Sequence, residues 1–529
     1  MSEPGPSSLR RDAVLVAFAS AIVALAAGIP RMPPSADLPH YEFLIAALRG
    51  LGDPSRFPSP PYEYTLSITN QLFVYAAWLL SFVLPVDLAV RVLFAGVIGA
   101  MPALAARAAW HAGRSPLVGV VVAPLSLGFA YRWCLSAYLL GLCLLLAALP
   151  DLRALQREPT PHRALRGIGW AALLGFAHGS SIVLLLTLTL GLAMQRGRRL
   201  RDLGLLMAPV LGGLVVFAIG WITFRARVRA DTSTPLGYGI GLAVRPGLLP
   251  WTLFGPLDPW AMYTLPLMLA AGMGALRRGA RVTLDRPLFM AAALCFVQFF
   301  LWPNEFGGAG LLFQRFTLPA VLFLVLALPS VSPRSHFFAG SFLALPVVMV
   351  VALWPLTRIT HYAWRDLDAV IARVAPGSAV ASLDLAEIPW AMHVFGGAAA
   401  RVVALRGGVT HSDFSYLPQF PVRTRQDYLW ARTRVRLMHP QDFIPTLDFQ
   451  RFRYVVVRTT RRHDLAALTR AMAPEGRLVL RSGRWMLYAS TLPVLPLTAR
   501  EPDLPPRRPP SLGARIAAMG VSFPFPRGM

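Results

Sequence analysis

Apolar stretches of roughly 15 to 28 residues, separated by short polar loops, follow one another along the first two thirds of the chain. Because about 20 apolar residues cross the hydrocarbon core of a bilayer, this pattern predicts a series of membrane-spanning helices. Four of the loops are basic, and arginine beside an apolar span favours the cytoplasmic side of the membrane. These loops are residues 151–166, 195–202, 277–286 and 332–336.

Two further basic positions, Arg10 with Arg11 and the link 107–114, complete a set of six predicted cytoplasmic positions. An even number of spans must separate neighbouring members of this set. The spans that satisfy the rule number about eleven, within a range of about 10 to 13. They lie at residues 14–29, 87–106, 117–131, 135–149, 167–194 (two spans), 203–224, 262–276, 287–302, 311–328 and 337–356.

Two segments leave this count open. Residues 72–84 form either a short span or a helix on the membrane surface, and we prefer the surface helix because it keeps 107–114 in the cytoplasm. Residues 167–194 form either one long tilted helix or two short helices that meet outside at the break His178-Gly179-Ser180. Both ends of this segment are rich in arginine, which satisfies the charge rule in the two-helix case.

The predicted fold class is an α-helical polytopic membrane protein with a small extracytoplasmic α/β domain. Residues 1–357 form the transmembrane domain, whose first outside loop, 30–71, carries interfacial helices. Residues 358–492 form the α/β domain, and the Pro- and Arg-rich residues 493–529 form a flexible tail. Within the α/β domain, periodicity predicts strands at 379–383, 402–405, 454–457, 477–480 and 485–489, and helices at 363–374 and 464–472.

Composition agrees with this organisation, since 55% of the 529 residues are hydrophobic and only 15% are charged. A net charge of +25 would suggest nucleic-acid binding in a soluble chain. Here much of the arginine lies in loops where the topology already requires it, so nucleic acid is not a predicted partner. The three cysteines show no spacing typical of a disulfide framework or a metal site.

The first outside loop carries the most unusual group of polar residues: Asp37, Pro39, His40 and Glu42. A carboxylate at Asp37 is suited to act as a general base, and His40 or Glu42 is suited to share a metal or to orient that carboxylate. The alternative is an ordinary polar loop in which Asp37 caps the short interfacial helix that follows.

This layout resembles the GT-C superfamily of membrane glycosyltransferases. The resemblance rests on Asp37-Leu38-Pro39-His40 after the first span, on Gln314-Arg315-Phe316 before a proline-containing span, and on the outside carboxy-terminal domain. It implies an enzyme of the bacterial cytoplasmic membrane that acts at the outer face. Its donor would be a polyprenyl-phosphate sugar, and its acceptor a lipid, a glycan or a protein.

One departure from the family concerns metal binding. Many members carry a second acidic residue in the next outside loop, where this chain has Arg132 and no carboxylate. No motif in the sequence requires a cofactor. A divalent metal is the one cofactor that remains compatible with it. Glu63, Asp258 or Glu305 would have to supply the missing ligand.

Two further candidates lie beside or within apolar segments. Arg315 is predicted at the outer end of a span, where its planar guanidinium is suited to bind the carrier phosphate together with Arg132; the alternative is a snorkelling arginine. His178 falls at the middle of an apolar run, where a titratable group needs a partner. That partner is either a substrate or a group on a neighbouring helix.

The predicted mechanism is inverting. Asp37 takes the proton of the acceptor hydroxyl, the oxygen attacks the anomeric carbon, and polyprenyl phosphate leaves with its charge held by Arg315 and Arg132. Two other classes remain as alternatives: a transporter or lipid flippase, and a membrane scaffold with an outside binding domain. A transporter would be expected to show internal repeats and charges at the membrane midplane, and the sequence shows neither repeat nor charge pattern of that kind.

Overall fold

A computed structural model describes residues 6–57, 62–65, 69–193, 200–225, 241, 243–255, 257, 259–278, 283–304, 311–386, 395, 397–411, 420–424, 437, 439–460, 463–495 and 510–519. The chain divides into two compact units. The first, here the membrane unit, comprises Met1–Pro30, Ser67–Ala76 and Arg91–Pro355. The second, here the C-terminal unit, comprises Arg31–Leu66, Ala77–Val90 and Leu356–Met529.

Helices make up most of the described chain. In order they are α1 (Pro6–Gly28), α2 (Leu38–Gly50), α3 (Leu72–Leu80), α4 (Val86–His111), α5 (Val118–Ser126), α6 (Phe129–Arg132), α7 (Ser136–Arg157), α8 (Pro161–Ala177), α9 (Gly179–Ala193), α10 (Leu200–Arg225), α11 (Leu249–Phe254), α12 (Pro259–Arg277), α13 (Arg286–Leu301), α14 (Thr317–Ala327), α15 (His336–Ser341), α16 (Ala344–Arg373), α17 (Ala398–Arg406), α18 (Pro445–Asp448), α19 (Leu465–Met472) and α20 (Leu512–Ala518). Single 3₁₀ turns lie at Arg245–Leu248, Phe313–Phe316 and Pro440–Asp442.

Five helical segments among the described residues are long and apolar enough to cross a membrane, namely Ser8–Gly28, Val86–His111, Ser136–Arg157, Leu200–Gly220 and His336–Arg373. Four shorter apolar segments accompany them: Val118–Arg132, Gly179–Ala193, Arg286–Leu301 and Phe313–Ala327. The prediction of a polytopic α-helical membrane protein is confirmed.

The two segments that the sequence left open have distinct structures. Helix α3 has nine residues, which at ~1.5 Å per residue is about 14 Å and less than half the hydrocarbon thickness. Residues 167–194 contain two helices, α8 and α9, and the chain reverses between them at His178. Near the end of α7, the Ala154 carbonyl accepts a hydrogen bond from Arg163 of α8, and Gln156 donates a 3.1 Å bond to the Leu192 carbonyl of α9. His178, between α8 and α9, instead contacts Tyr138 at the start of α7.

Polar contacts gather the predicted basic loops at one end of the membrane unit, here called the basic end. These contacts are the ion pair of Arg153 with Asp285, and hydrogen bonds from Arg114 to the Ala327 carbonyl, from Arg11 to the Pro333 carbonyl and from Gln156 to the Leu192 carbonyl. The described parts of the predicted basic loops therefore lie at one end of the membrane unit.

The opposite end of the membrane unit holds the starts of α7, α9 and α14, and it is here called the site end. Tyr138 at the site end and Gln156 at the basic end are 18 residues apart on α7, which corresponds to about 27 Å along the helix. This separation is close to the thickness of bilayer hydrocarbon, roughly 30 Å.

A five-stranded sheet forms the core of the C-terminal unit. Its strands are β2 (Ala379–Asp384), β3 (Val409–Thr410), β5 (Tyr454–Arg458), β6 (Gly476–Ser482) and β7 (Trp485–Ser490), in the spatial order β3-β2-β5-β7-β6. Strands β3, β2 and β5 are parallel, and β7 and β6 add antiparallel strands on one side. The central strands are almost continuously apolar, as expected of strands covered on both faces.

One predicted strand of this unit is wrong. Residues 402–405 belong to helix α17, because the short run Val-Val-Ala-Leu is preceded by three alanines and the helix ends at Gly407, a residue with φ of 73°. A four-residue apolar run does not by itself distinguish a strand from a buried helix. Helix α20, within the segment predicted to be a flexible tail, buries Leu512 and Ile516 in the core of the unit.

Most of the first loop, Arg31–Leu66, also belongs to the C-terminal unit, although the sequence pattern assigns residues 30–71 to the transmembrane domain. Helix α2 packs against α17. Strand β1 (Tyr62–Tyr64) pairs with β4 (Val422–Thr424) in an antiparallel two-stranded sheet, with Glu63 opposite Arg423. Segments more than 300 residues apart in sequence therefore share one core.

Candidate functional site

Arg315 lies at the site end, on the 3₁₀ turn that leads into α14. Its Nη1 atom is 2.9 Å from His178 Nε2 and 3.5 Å from Ser180 Oγ. The Tyr138 hydroxyl donates a 2.6 Å hydrogen bond to the Arg315 carbonyl. The structure thus brings together two residues singled out in the sequence, Arg315 and His178, from positions 137 residues apart.

His178 is the residue at which α8 ends and α9 begins. Its backbone is extended, with φ of −165° and ψ of 136°. Its Nδ1 atom accepts a 3.0 Å hydrogen bond from the Ser180 backbone N–H, so the imidazole caps the first turn of α9. The ring also meets Tyr138 edge to face, with centroids 5.9 Å apart.

Arg245 holds the turn that carries Arg315. Its Nη1 donates to the carbonyls of Phe299, Phe300 and Trp302 at 2.9, 2.8 and 2.7 Å, which satisfies the last turn of α13. Its guanidinium lies 4.1 Å from the centre of the Phe313 ring. Sequence reasoning missed this residue; the signal was an arginine in a predicted outside loop, where the charge rule does not call for one.

Arg132 is the last residue of α6 and lies at the site end as well, six residues before Tyr138. Its side chain is buried, with 1% exposed. Gly255, with φ of 74°, packs against it: a Cβ at this glycine would lie 3.2 Å from Arg132 Cγ. A buried guanidinium at the end of a membrane helix bundle needs anionic or carbonyl partners.

Asp37 lies in the C-terminal unit, at the position directly before α2. Its side chain makes no capping hydrogen bond to that helix. Pro39 explains this, because proline lacks the N–H that a capping carboxylate accepts, and the next N–H, that of His40, donates to the Asp37 carbonyl at 3.1 Å. Asp37 and His40 are both half-buried, and His40 lies beside Gly397, whose Cβ would be 3.3 Å from its Nε2.

Glu42, the third candidate of the first loop, forms an ion pair with Arg401 of α17. Arg401 Nη1 lies 2.6 Å from Oε1 and 2.5 Å from Oε2, and the two side chains are 2% and 1% exposed. Burial lowers the pKa of Arg401, but the Glu42 carboxylate and more distant acids raise it by more than burial lowers it. The pKa of Arg401 therefore lies above its usual value. In this structure Glu42 therefore holds α2 against α17.

The remaining candidates concern a metal. Glu63 is exposed on β1, and both Glu305 and Asp258 fall outside the described residues. Within the described ranges, no group of three or more His, Cys, Asp or Glu side chains has the arrangement of a metal site.

No protein-family model and no curated protein matches the chain. Two crystal structures of ArnT from Cupriavidus metallidurans resemble it. The structure bound to undecaprenyl phosphate gives a TM-score of 0.51 at 12% identity and covers 90% of this chain and 97% of ArnT. The apo structure gives 0.50 at 11% identity, with the same coverage of both chains.

The chain therefore shares the fold of ArnT. The polytopic membrane fold expected from the layout of the spans is confirmed. The match extends over both units, since 90% of the chain is covered.

Proposed function

We propose that this chain is an integral membrane glycosyltransferase that transfers a sugar from a polyprenyl-phosphate donor to an extracytoplasmic acceptor. The observation that carries the proposal is the contact of Arg315 with His178 at the site end of a GT-C fold. A guanidinium in this position, flanked by an imidazole and a hydroxyl, is suited to bind a phosphate monoester or diester. Undecaprenyl phosphate is bound in one of the ArnT structures.

The proposed orientation follows from the basic end. If the arginine-rich loops lie in the cytoplasm, the site end lies at the outer face of a bacterial inner membrane, and the C-terminal unit lies outside as a periplasmic domain. Donor and acceptor then meet outside the cytoplasm. Membrane lipids would surround the spans.

The proposed chemistry is a direct displacement. The acceptor hydroxyl loses its proton to the Asp37 carboxylate as its oxygen forms a bond to the anomeric carbon. The bond from that carbon to the phosphate oxygen breaks, and its electron pair leaves with the polyprenyl phosphate. Attack from the face opposite the phosphate inverts the configuration. General-base catalysis of this type contributes about 10²- to 10⁴-fold.

Each candidate has one role in this scheme. Arg315 and Arg132 stabilise the charge of the leaving phosphate. Asp37 is the base; its carboxylate is not engaged in capping α2. His40 orients Asp37 from the next turn of the same segment, and Glu42 fixes α2 through its ion pair with Arg401. A divalent metal, if one takes part, would need at least one ligand from outside the described residues, such as Glu305.

Turnover of a labelled donor tests the proposal. Membranes that contain the chain are incubated with a panel of radiolabelled polyprenyl-phosphate sugars and a membrane extract as acceptor source. We expect at least one donor to be consumed, with release of unlabelled polyprenyl phosphate. A donor that crosses sealed vesicles without being consumed would instead indicate a flippase, and no change in any donor would favour a scaffold.

A further inference from the structure

Both nitrogens of the His178 ring face hydrogen-bond donors. The Ser180 backbone N–H lies 3.0 Å from Nδ1, and Nη1 of Arg315 lies 2.9 Å from Nε2. A backbone amide and a guanidinium nitrogen donate and cannot accept. The ring would therefore have to accept at both nitrogens to satisfy both contacts.

None of the three protonation states of the imidazole achieves this. With the proton on Nε2, the ring satisfies Ser180 but directs an N–H at Arg315. With the proton on Nδ1, the contact with Arg315 is satisfied and an N–H faces the Ser180 amide. The imidazolium faces both donors with N–H groups. Each state leaves at least one pair of donors in contact.

The Ser180 amide is fixed by the first turn of α9, whereas the Arg315 guanidinium ends a flexible side chain. The capping bond to Nδ1 therefore selects the tautomer with its proton on Nε2. The Nε2–H group then faces the guanidinium, with Nε2 and Nη1 2.9 Å apart, while the Ser180 hydroxyl oxygen accepts from Nη1 at 3.5 Å. Two donors therefore oppose each other, and an anionic oxygen within reach of both would accept from the Nε2–H and the guanidinium together.

We infer that His178 is a ligand of the carrier phosphate: its Nε2–H and the Arg315 guanidinium share one phosphate group, and Ser180 fixes the ring by donating to Nδ1. This inference rests on the proposed function and adds a phosphate-binding side chain to the two, Arg315 and Arg132, that the proposal already contains. The ring is 8% exposed, and a hydrogen bond to a charged oxygen is stronger where water is scarce. The positive charge of Arg315 favours an anion over a cation at this place.

Two amide variants separate this role from simple helix capping. In His178→Asn the side-chain oxygen can accept from the Ser180 amide, and Asn is a favoured capping residue, but no donor reaches the position of Nε2. In His178→Gln the longer side chain brings an amide N–H₂ close to the position of Nε2 but gives up the cap. His178→Asn therefore keeps the hydrogen bond made by Nδ1, and His178→Gln keeps a donor near the position of Nε2.

Binding is measured on the purified full-length chain in nanodiscs, with undecaprenyl monophosphate and inorganic phosphate as separate probes. We expect His178→Asn to bind undecaprenyl monophosphate about tenfold more weakly than the parent, the lower end for a hydrogen bond to a charged group. His178→Gln should lose less than about threefold in affinity, despite a lower melting temperature. His336→Asn, an exposed histidine at the basic end, is the control and should bind like the parent.

The reverse order, with His178→Asn equal to the parent and His178→Gln impaired, would show that the ring serves only as a cap. That result overturns the inference and leaves the proposed function standing. A parent chain that binds neither probe overturns both. Competition by inorganic phosphate, with the same dependence on His178, would support the shared phosphate site and show that the lipid tail contributes affinity only.

Discussion

Glu42 and Arg401 form a buried ion pair between residues 359 positions apart in the sequence. Glu42 comes from the first loop and Arg401 from the carboxy-terminal half, so the pair joins two distant segments within one unit. Removing one member of a buried pair leaves the other charge without compensation, and such losses cost about 3 to 5 kcal/mol.

We therefore expect Glu42→Gln to lower the stability of the C-terminal unit by about 3 kcal/mol or more. Thermal melting of the detergent-solubilised chain, followed by tryptophan fluorescence, measures this change. Glu63→Gln, which removes an exposed carboxylate on β1, is the matched control and should melt like the parent. Equal melting of Glu42→Gln and Glu63→Gln would contradict a stabilising role for the pair.

The parts of the structure that the sequence predicts are those governed by local pattern. Spans, basic loops and the break at His178 follow from periodicity and charge over a few residues. The prediction of a strand at residues 402–405 failed because four apolar residues fit either element; the sequence interpretation did not anticipate the pairing of Arg401 with Glu42. Contacts between distant segments are not specified by local pattern. An arginine in a predicted outside loop was a signal for Arg245, but it did not show that Arg245 caps α13.

The ion pair of Glu475 with Arg515 makes the stability of the folded chain depend on pH. The guanidinium of Arg515 donates two bonds of 2.8 Å to the carboxylate and lowers the pKa of Glu475 below its usual value near 4.5. A lowered pKa in the folded state stabilises that state above the unfolded pKa. This stabilisation is lost as the pH falls through the folded value.

We expect the difference in melting temperature between the parent and Glu475→Gln to be constant from pH 7 down to about pH 5, and to shrink at more acidic pH. Melting curves across this range measure it. Glu158→Gln removes a carboxylate that is 69% exposed and serves as control. A difference that grows on acidification would show that the sign of the linkage is wrong.

The topology prediction concerns the segments on either side of α16. If the basic end is cytoplasmic, a reporter fused after Arg334 should be active only in the cytoplasm, and one fused after Gly377 only in the periplasm. Paired alkaline phosphatase and green fluorescent protein fusions measure the two sides. A cytoplasmic signal after Gly377 would place Asp37 and the C-terminal unit on the wrong side for an outer-face transferase, unless α1 were reversed as well.

We expect the rate of sugar transfer to depend on the planar geometry of the Arg315 guanidinium as well as on its charge. Arg315→Ala should lower the rate of sugar transfer by about 10²- to 10³-fold, the usual loss for a donor aimed at charge that develops in the transition state. Arg315→Lys should retain part of the rate, because an ammonium replaces the charge and only some of the bidentate geometry. Radiolabel transfer in membranes measures both.

The control for this series is Arg277→Ala, which removes an exposed arginine at the basic end. It should transfer sugar at the parental rate. If Arg315→Ala did so too, the guanidinium would be a snorkelling side chain and the leaving phosphate would require another partner.

Asp37→Asn is the variant that bears most directly on the chemistry. Asn has nearly the same size but cannot take a proton, and Asp37 does not cap α2, so the substitution removes no cap from this helix. We expect a loss of about 10²- to 10⁴-fold in transfer of label from a polyprenyl-phosphate sugar. Asp53→Asn is the matched control: Asp53 accepts from the Ser55 amide at 2.9 Å and the Ser55 hydroxyl at 2.6 Å, and these bonds only shape a turn. Undiminished transfer by Asp37→Asn, with its melting temperature unchanged, would remove Asp37 from the role of base.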